Sequence, residues 1–266
     1  MRVALGVAYD GTRFHGFQAQ QPGIATIQGE LERAIGQVAN EAVRVTCAGR
    51  TDARVHATHQ VVHFDTNAAR PLRAWIYGVN ANLPTSVSIT WSRAVNDDFS
   101  ARFSAISRRY LYLIDVSELR HALFANAITR DRRHHLDPDL MGEAGQALVG
   151  EHDFSSFRSA HCQSRSPVRT INRLTVTRRG DVVALDIAAN AFLHHMVRNV
   201  AGVLMDIGAG EQPKDWTRDL LKARDRTVAS VTAPPEGLYL IDVNYPPMHA
   251  LPTGPALPRL LSLLDL

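Results

Sequence analysis

The same order of predicted strands and helices occurs twice along the chain, and this repeat limits the fold more than any other feature. In the first half, period-2 strand segments alternate with helical ones. A stripe of Ile27, Leu31, Ile35 and Val38 predicts the first helix, with Thr26 as its N-cap. The remaining first-half segments are the strands VALGVAYDG, AVRVTCAG, HQVVHFDT and SVSITWSRAV and a helix in LRAWIYGVNANLP.

The second half begins with the strand RRYLYLIDV and continues with a helix that Asp137 and Pro138 open. A hairpin is predicted in INRLTVTRRGDVVALDIAAN, with its turn at Gly180 and Asp181. A helical stripe, a further helix and the strand GLYLIDVNY follow; the stripe comprises Phe192, Met196, Val200, Val203 and Ile207. Two similar α+β halves that meet near residue 100 are the simplest account.

The last residues are rich in proline, which prevents a regular helix before about Arg259. We therefore expect a peripheral or mobile tail over 246–266, after an N-terminal half at 1–100 and a C-terminal half at 101–245. The chain has 266 residues, 45% of them hydrophobic, which suffices for a sizeable core.

Several classes of protein are disfavoured by composition. No apolar run is long enough to span a bilayer, and the N-terminus lacks a signal-peptide core. Cys47 and Cys162 are the only cysteines and form no disulfide framework, so a reducing cytoplasm is expected.

The basic residues are almost all arginine, since Lys214 and Lys222 are the only lysines. The formal charge of +3 is too small to indicate nucleic acid by itself. Codon bias accounts for part of the preference for arginine, but less well for its clustering in the middle of the chain. A guanidinium binds phosphate and stacks on bases, so the cluster favours a basic groove for a polyanion.

Four segments combine arginine with aromatic residues. Unstacked bases need rings for stacking and guanidinium groups for charge, so this mixture indicates RNA binding. Core residues beside a solvated surface are the alternative for each segment taken alone. The segments are YDGTRFHGFQAQQ, DFSARFSAISRRYLY, DFSSFRSAHCQSRSPVRTI and NAFLHHMVRN.

Neither a metal site nor a nucleotide site is predicted. His59 and His63 lie along one strand, where their side chains share a face but do not converge as metal ligands must. Structural or substrate-contacting roles are therefore expected for the histidines, which include His56, His134, His135, His194 and His195. The Gly-x-Ser-x-Gly pattern and a phosphate-binding glycine loop are both absent from the sequence.

Asp52 stands where a strand-like run ends, two residues after Arg50, in CAGRTDARVHATHQVVHFDT. A turn aspartate and a catalytic carboxylate both fit this position. A glycosidase-like pair of carboxylates could also be drawn from Asp10, Asp52, Asp65 and Asp186, but the sequence does not show which of them meet.

A set of ordered motifs resembles those of the tRNA pseudouridine synthase A family over residues 3–245. They are YDGTRFHGFQAQ, GRTDARVHA, GVNANLP, ARFSAISRRYLY, FRSAHCQSRSP, FLHHMVRN and GLYLIDV. The resemblance implies an isomerase that converts uridines 38–40 of the tRNA anticodon stem-loop to pseudouridine. It also implies a homodimer that uses no cofactor or metal. The implied fold is α+β, with two similar ferredoxin-like halves sharing a long, mainly antiparallel central sheet.

The resemblance also assigns roles to individual residues. Asp52 matches the catalytic aspartate, Tyr110 the substrate-contacting tyrosine, and Arg50 lies beside the catalytic loop. Arg198 is similar to the arginine that pairs with the aspartate, and Leu240 to the apolar residue that packs below the base. A guanidinium near a buried carboxylate favours its charged form. Nucleophilic attack and proton abstraction by Asp52 both remain open.

One position departs from the family pattern. The family usually has Gly-Arg-Thr-Asp-x-Gly-Val-His, and Arg54 occupies the place of the second glycine. Glycine is normally needed where φ is positive or where backbones approach closely. Two other functions also remain as alternatives: a non-catalytic tRNA- or RNA-binding protein, and a metal-dependent hydrolase.

Overall fold

The computed structural model describes residues 1–133 and 135–258. Its α-helices are α1 (Ile27–Ala39), α2 (Leu72–Asn82), α3 (Pro138–Gln146), α4 (Met196–Gly208) and α5 (Trp216–Ala223). Its strands are β1 (Arg2–Tyr9), β2 (Thr46–Cys47), β3 (His56–Asp65), β4 (Val87–Val95), β5 (Ser107–Asp115), β6 (Thr129–Arg130), β7 (Gly150–Asp153), β8 (Val168–Arg179), β9 (Val182–Ala189) and β10 (Leu238–Asn244).

The chain packs as two compact units. One unit contains residues Met1–Ile106 together with the described residues from Tyr239 to Pro258, and the other contains Ser107–Leu238. This division rests on packing. The predicted boundaries at residues 100 and 245 rest on the order of the elements and on composition, and they stay a prediction.

The first unit is built on strands in the order β4-β1-β3-β10. β1 pairs antiparallel with both β3 and β4, and β2 pairs antiparallel with β3. β10 runs parallel to β3, with Tyr239 opposite His56 and Leu240 opposite Ala57. This last pairing brings the C-terminal strand beside the start of β3, directly after the loop that carries Asp52.

Helix α1 confirms the predicted stripe and cap. Thr26 has an extended backbone, and its hydroxyl accepts a hydrogen bond from the Gly29 N–H. Leu31 and Ile35 are fully buried, and α1 packs against α2. Trp75 of α2 is also buried and contacts Phe64 of β3 edge to face, with ring centroids 5.1 Å apart.

In the second unit the strands follow the order β5-β9-β8-β7, and β6 pairs with β5. The pairings β5–β9, β8–β9 and β7–β8 are antiparallel. The predicted hairpin turn is confirmed, because β8 and β9 are joined by Gly180 and Asp181, and Gly180 has a φ of +56°.

Two helices of the second unit begin with different caps. The Asp137 carboxylate accepts hydrogen bonds from the N–H groups of Asp139 and Leu140 at the start of α3, as predicted. Helix α4 begins at Met196, later than the stripe that includes Phe192 predicts. The residue before it, His195, has a φ of +63°, so the chain turns sharply where α4 starts.

The segment AVRVTCAG forms a much shorter strand than predicted, since β2 contains only Thr46 and Cys47. The backbone of Val45 is bonded to α1 instead: its N–H donates to Glu32 Oε1 at 3.0 Å, and its carbonyl accepts from Gln28. Strands β6 and β7 were not predicted, because two and four residues are too few to show an alternating pattern.

The described part of the proline-rich tail is hydrogen-bonded within the first unit. The Ala256 N–H donates to the Ile241 carbonyl at 3.0 Å, and the Ala256 carbonyl accepts from the Thr58 hydroxyl. The Gly254 N–H donates to Asp242 Oδ1 at 3.1 Å. The proline content of the tail did not predict that the tail is hydrogen-bonded to β10. The helix expected after Arg259 lies outside the described residues.

The predicted α+β class, with mainly antiparallel strand pairing, is confirmed. Within 1–133 and 135–258, no helix combines the length and apolar character that crossing a membrane requires.

Candidate active site

The loop that carries Asp52 joins β2 to β3 in the first unit. The Asp52 side chain is half-buried, Arg50 is exposed, and Thr51 between them is buried. The Val55 N–H donates to the Asp52 carbonyl at 3.2 Å, which closes a turn around Asp52. The position therefore combines a strand-end turn with a carboxylate that solvent can still reach.

The segment after β1 holds this loop along its length. The Phe17 N–H donates to the Thr51 carbonyl at 3.0 Å, and the Arg54 N–H donates to the Phe14 carbonyl at 3.2 Å. The Tyr9 hydroxyl lies 2.8 Å from the Thr51 hydroxyl. Close approach depends on Gly16, whose φ is +96° and where a Cβ would stand 2.9 Å from the Thr51 carbonyl oxygen.

Gln60 of β3 anchors the beginning of the same loop. Its side chain is fully buried, and Nε2 donates to the Gly49 carbonyl at 2.7 Å and to the Tyr9 hydroxyl at 3.4 Å. We call Tyr9, Thr51 and Gln60 the loop clamp. Buried polar groups of this kind hold one conformation when they are satisfied. The clamp thus preorganises the backbone on both sides of Arg50.

A second cluster lies where β3 begins. The buried His56 ring accepts a hydrogen bond from the Gly11 N–H at Nδ1 and stacks on Tyr239, with centroids 4.7 Å apart. Burial raises the pKa of the Asp10 carboxyl, but hydrogen bonds from the Thr12 hydroxyl and N–H, together with the electrostatic effect of the nearby His56, outweigh it and bring the pKa below its ordinary value. Burial, with the Asp10 charge, raises the pKa of the Tyr239 hydroxyl.

Leu240 is fully buried in β10, opposite Ala57. Its strand therefore lies alongside the residues that directly follow the Asp52 loop. Arg50, Asp52 and Leu240 all belong to the first unit, and their common scaffold is the start of β3.

Tyr110 and its neighbours belong to the second unit. Tyr110 lies on β5 opposite Ile187 of β9, is 7% exposed, and meets Phe192 edge to face at 5.1 Å. The adjacent Arg109 donates through Nε to Asp186 at 2.7 Å. Asp186, one of the four carboxylates considered from the sequence, is therefore held in an ion pair with Arg109.

Arg198 lies in the first turn of α4 and is half-buried. Its Nε donates to the Ala233 carbonyl at 2.8 Å, and the Ala233 N–H donates back to the Arg198 carbonyl at 3.2 Å. The next residue, Asn199, is buried; it donates to the Phe157 carbonyl at 2.7 Å and accepts from the Thr232 hydroxyl at 2.7 Å. The Nε bond restrains the Arg198 guanidinium, and the Asn199 bonds hold the helix turn that carries it.

The histidines of β3 have contacts that support structural roles. His63 Nδ1 accepts from the Ala101 N–H at 3.1 Å, and its ring meets Phe99 edge to face. Burial lowers the pKa of both His59 and His63, which favours their neutral form. His134 lies outside the described residues.

Sequence reasoning missed the loop clamp. Gln60 gave one usable signal, since an amide inside an otherwise apolar strand needs a buried hydrogen-bond partner. Tyr9 gave none, because an aromatic residue at the end of a strand is usual for a core position.

Comparison with known proteins adds the family. A family described as tRNA pseudouridine synthase matches residues 6–104 and 144–246. The chain belongs to this family. A tRNA pseudouridine synthase A of Aliivibrio salmonicida is 52% identical over 261 residues, covering 98% of this chain and 99% of the relative. That of Pseudoalteromonas atlantica is 53% identical over 252 residues, covering 95% of each. A third, of Pseudomonas aeruginosa, is 52% identical, covering 98% of this chain and 91% of the relative.

The resemblance drawn from the motifs, and the isomerase class that it implies, are therefore confirmed. The residue roles and the tRNA positions are finer than a family match and stay predictions.

The backbone at Arg54 explains why the tRNA pseudouridine synthase family usually has glycine at this position. Its φ is +67°, in the left-handed region that favours glycine. A non-glycine residue held there costs roughly 1–2 kcal/mol. The loop has therefore kept a glycine-type conformation although glycine itself is absent, and the exposed Arg54 side chain projects from it.

Replacing Arg54 separates backbone strain from the effect of its charge. Arg54→Gly relieves the strain and Arg54→Ala keeps it, while both remove the guanidinium. We expect the glycine variant to exceed the alanine variant by about 1 kcal/mol in free energy of unfolding, measured by urea denaturation. The glycine variant should remain active, with at most a changed preference among tRNA targets. Equal stability of the two variants would show that the φ at this position carries no strain.

Proposed function

We propose that this chain converts uridines 38–40 of the tRNA anticodon stem-loop to pseudouridine, with Asp52 as the catalytic carboxylate. The observation that carries the proposal is the Gly49–Asp52 motif, which resembles the family's Gly-Arg-Thr-Asp and whose Gly49 and Thr51 are held by Gln60 and Tyr9. A turn aspartate alone has no need of such a clamp, whereas a catalytic group must be held in fixed geometry.

The reaction is redox-neutral and adds no atoms. The C1′–N1 bond of uridine breaks, the freed uracil turns, and C1′ bonds to C5, which then loses its proton while N1 gains one. An ionised carboxylate near C1′ and C6 serves either as nucleophile or as general base. Neither route requires an electron carrier or an activated cosubstrate, so we propose no cofactor.

The target base must leave its stack before a carboxylate can reach it. Flipping the base out of its stack costs about a few kcal/mol, and stacking on an aromatic side chain stabilises the flipped base by roughly 1–3 kcal/mol. We assign Tyr110 to this contact. Its ring is preset by Phe192 and by the β5–β9 pairing, so little side-chain entropy is lost when the base binds.

Arg198 and Arg50 are the proposed guanidinium groups of the site. A cation favours the charged form of a carboxylate that a bound base removes from water. The bond from Arg198 Nε to the Ala233 carbonyl restrains the guanidinium, which suits the role of partner to Asp52 that the resemblance assigns. Exposed Arg50 suits contact with the RNA. The resemblance assigns Leu240 to the apolar packing below the base, and because Leu240 is fully buried we propose that it acts through the residues that cover it.

The remaining parts of the proposal concern assembly and location. The clustered arginines bind the tRNA backbone, which makes affinity fall as salt rises. The enzyme acts as a homodimer in the cytoplasm, with no nucleotide and no metal. The family match supports the tRNA substrate; the homodimer and the cytoplasm rest on the motif resemblance and on cysteine usage.

Asp52→Asn tests the catalytic assignment because it removes the charge with almost no change in shape. We expect tRNA binding within twofold of wild type and at least a 100-fold loss of product, the range of general-base and nucleophilic catalysis. Product is measured by carbodiimide treatment and primer extension across the anticodon stem-loop of an unmodified transcript.

Normal pseudouridine formation by Asp52→Asn would exclude the assigned role. Asp65→Asn is the matched control, since Asp65 pairs with Arg2 at the surface and should leave product unchanged. Loss of activity in a chelator would instead favour the metal-dependent hydrolase, whose product would differ in mass from its substrate.

Tyr110→Phe separates proton transfer from stacking. The phenylalanine ring still stacks, so the KM for tRNA should stay within about threefold of wild type, whereas kcat should fall by about 100-fold if the hydroxyl handles a proton. Steady-state kinetics on the same transcript measure both. A wild-type kcat would remove proton transfer from the role of Tyr110 and leave stacking as its function.

A further inference from the structure

Phe103 is a large aromatic side chain that the fold leaves in solvent. It lies in the turn between β4 and β5, within the first unit, and is 81% exposed. Its neighbour Phe99 is fully buried, so the turn places one ring in the core and the other at the surface. Exposed single aromatics occur on many proteins, and Phe103 needs further observations before it indicates a site.

The first observation is that the turn is rigidly held. The fully buried Ala101 donates its N–H to His63 Nδ1 at 3.1 Å, and its carbonyl accepts from the Tyr245 hydroxyl at 2.6 Å. Inside the turn, the Ser100 N–H donates to the Ser104 hydroxyl at 3.0 Å. Phe103 is therefore presented from a fixed backbone, which lowers the entropy lost when its ring binds something.

The second observation is a cation beside the ring. The Arg102 guanidinium carbon lies 5.2 Å from the centroid of the Phe103 ring, within the range of a cation–π contact. The exposure of Phe103 leaves most of the ring open to a further stacking partner. A ring with a guanidinium at its side binds single-stranded nucleic acid through stacking and charge together.

The third observation links this turn to the candidate catalytic loop. Burial raises the pKa of the Cys47 thiol to about 12, while the charges of Arg50 and Arg102 both act to lower it. Geometry also joins the turn to this region, because the Ala101 N–H beside Arg102 donates to His63 Nδ1, and the Asp52 loop departs from the end of β2. His63, which anchors the turn, is paired with Thr46 of β2. Phe103 and Arg102 therefore lie in a turn that is bonded to β3, next to β2, the strand that leads into the loop with Arg50 and Asp52.

We propose that Phe103 stacks on an unpaired nucleobase next to the target uridine, while Arg102 binds the adjoining phosphate. The proposal rests on the proposed function, since it names a contact of the same RNA substrate. An RNA strand suits this surface better than an apolar partner does, because the Arg102 guanidinium lies against the ring. A second copy of this chain is the other occupant, and the experiment distinguishes it.

Four substitutions test the stacking contact in steady-state kinetics on an unmodified tRNA transcript. Phe103→Ala should raise the KM for tRNA by about tenfold, from the range measured for base–aromatic stacking, and change kcat by less than twofold. Phe103→Tyr should resemble wild type, and Phe103→Leu should resemble the alanine variant because leucine has no π-face. Tyr77→Ala is the matched control, since Tyr77 is 74% exposed on α2 of the same unit.

The charge of Arg102 is tested by salt dependence. Arg102→Ala should reduce the slope of log KM against log salt by about 0.7, the value for one phosphate contact on a single strand. Arg93→Ala is the control, since Arg93 is an exposed arginine on β4. An unchanged slope for Arg102→Ala would remove the phosphate contact.

Three results would overturn the proposal. They are an unchanged KM for Phe103→Ala, a wild-type KM for Phe103→Leu, and dissociation of the wild-type oligomer by Phe103→Ala in sedimentation equilibrium, which would assign the ring to a contact between copies. Filter binding of an anticodon stem-loop RNA measures the same contact without turnover. A wild-type protein that binds this RNA through Phe103 but forms no pseudouridine would refute the proposed function and leave this contact supported.

Discussion

The hydrogen bond between the hydroxyls of Tyr9 and Thr51 is the interaction on which the account of the site depends. A loop that joins a two-residue strand to a long one would otherwise have many conformations, and an aspartate within it no fixed position. The clamp connects the loop to the end of β1, and Gln60 connects it to β3. Because β1 and β3 are paired along their length, these bonds attach the loop to a rigid sheet. The backbone at Asp52 is thereby held in one conformation, as the proposed catalytic role requires.

The second unit uses the same principle with different groups. Asn199 is buried in α4, and its amide bonds to Phe157 and Thr232 fix the first turn of the helix. Arg198, next to it, is held through Nε by the Ala233 carbonyl. Tyr110 is set by strand pairing and by the edge of Phe192. In each unit, satisfied polar groups inside the core orient the side chains to which the motif resemblance assigns chemistry.

Local patterns predicted the parts of the fold that local forces determine. The cap at Thr26, the start of α3 at Asp137 and the hairpin turn at Gly180 each depend on a few neighbouring residues, and all three are confirmed. The extent of β2 and the loop clamp depend on residues far apart in sequence. The Glu32 side chain accepts a hydrogen bond from the Val45 N–H, and the Tyr9 hydroxyl is bonded to Thr51, 42 residues further along the chain. No period or turn signal records such contacts, whereas the ordered motifs identified the family because they span both units.

The loop clamp can be tested by removing one hydroxyl. Tyr9→Phe keeps the ring and deletes the hydroxyl's bonds to Thr51 and Gln60, so the loop that carries Asp52 loses part of its restraint. Single-turnover rates with saturating enzyme measure the chemical step separately from tRNA binding. The account predicts a rate constant about tenfold lower than wild type, with the dissociation constant for tRNA unchanged and a loss of about 1 kcal/mol in stability. A wild-type rate constant in a variant with that loss of stability would contradict it.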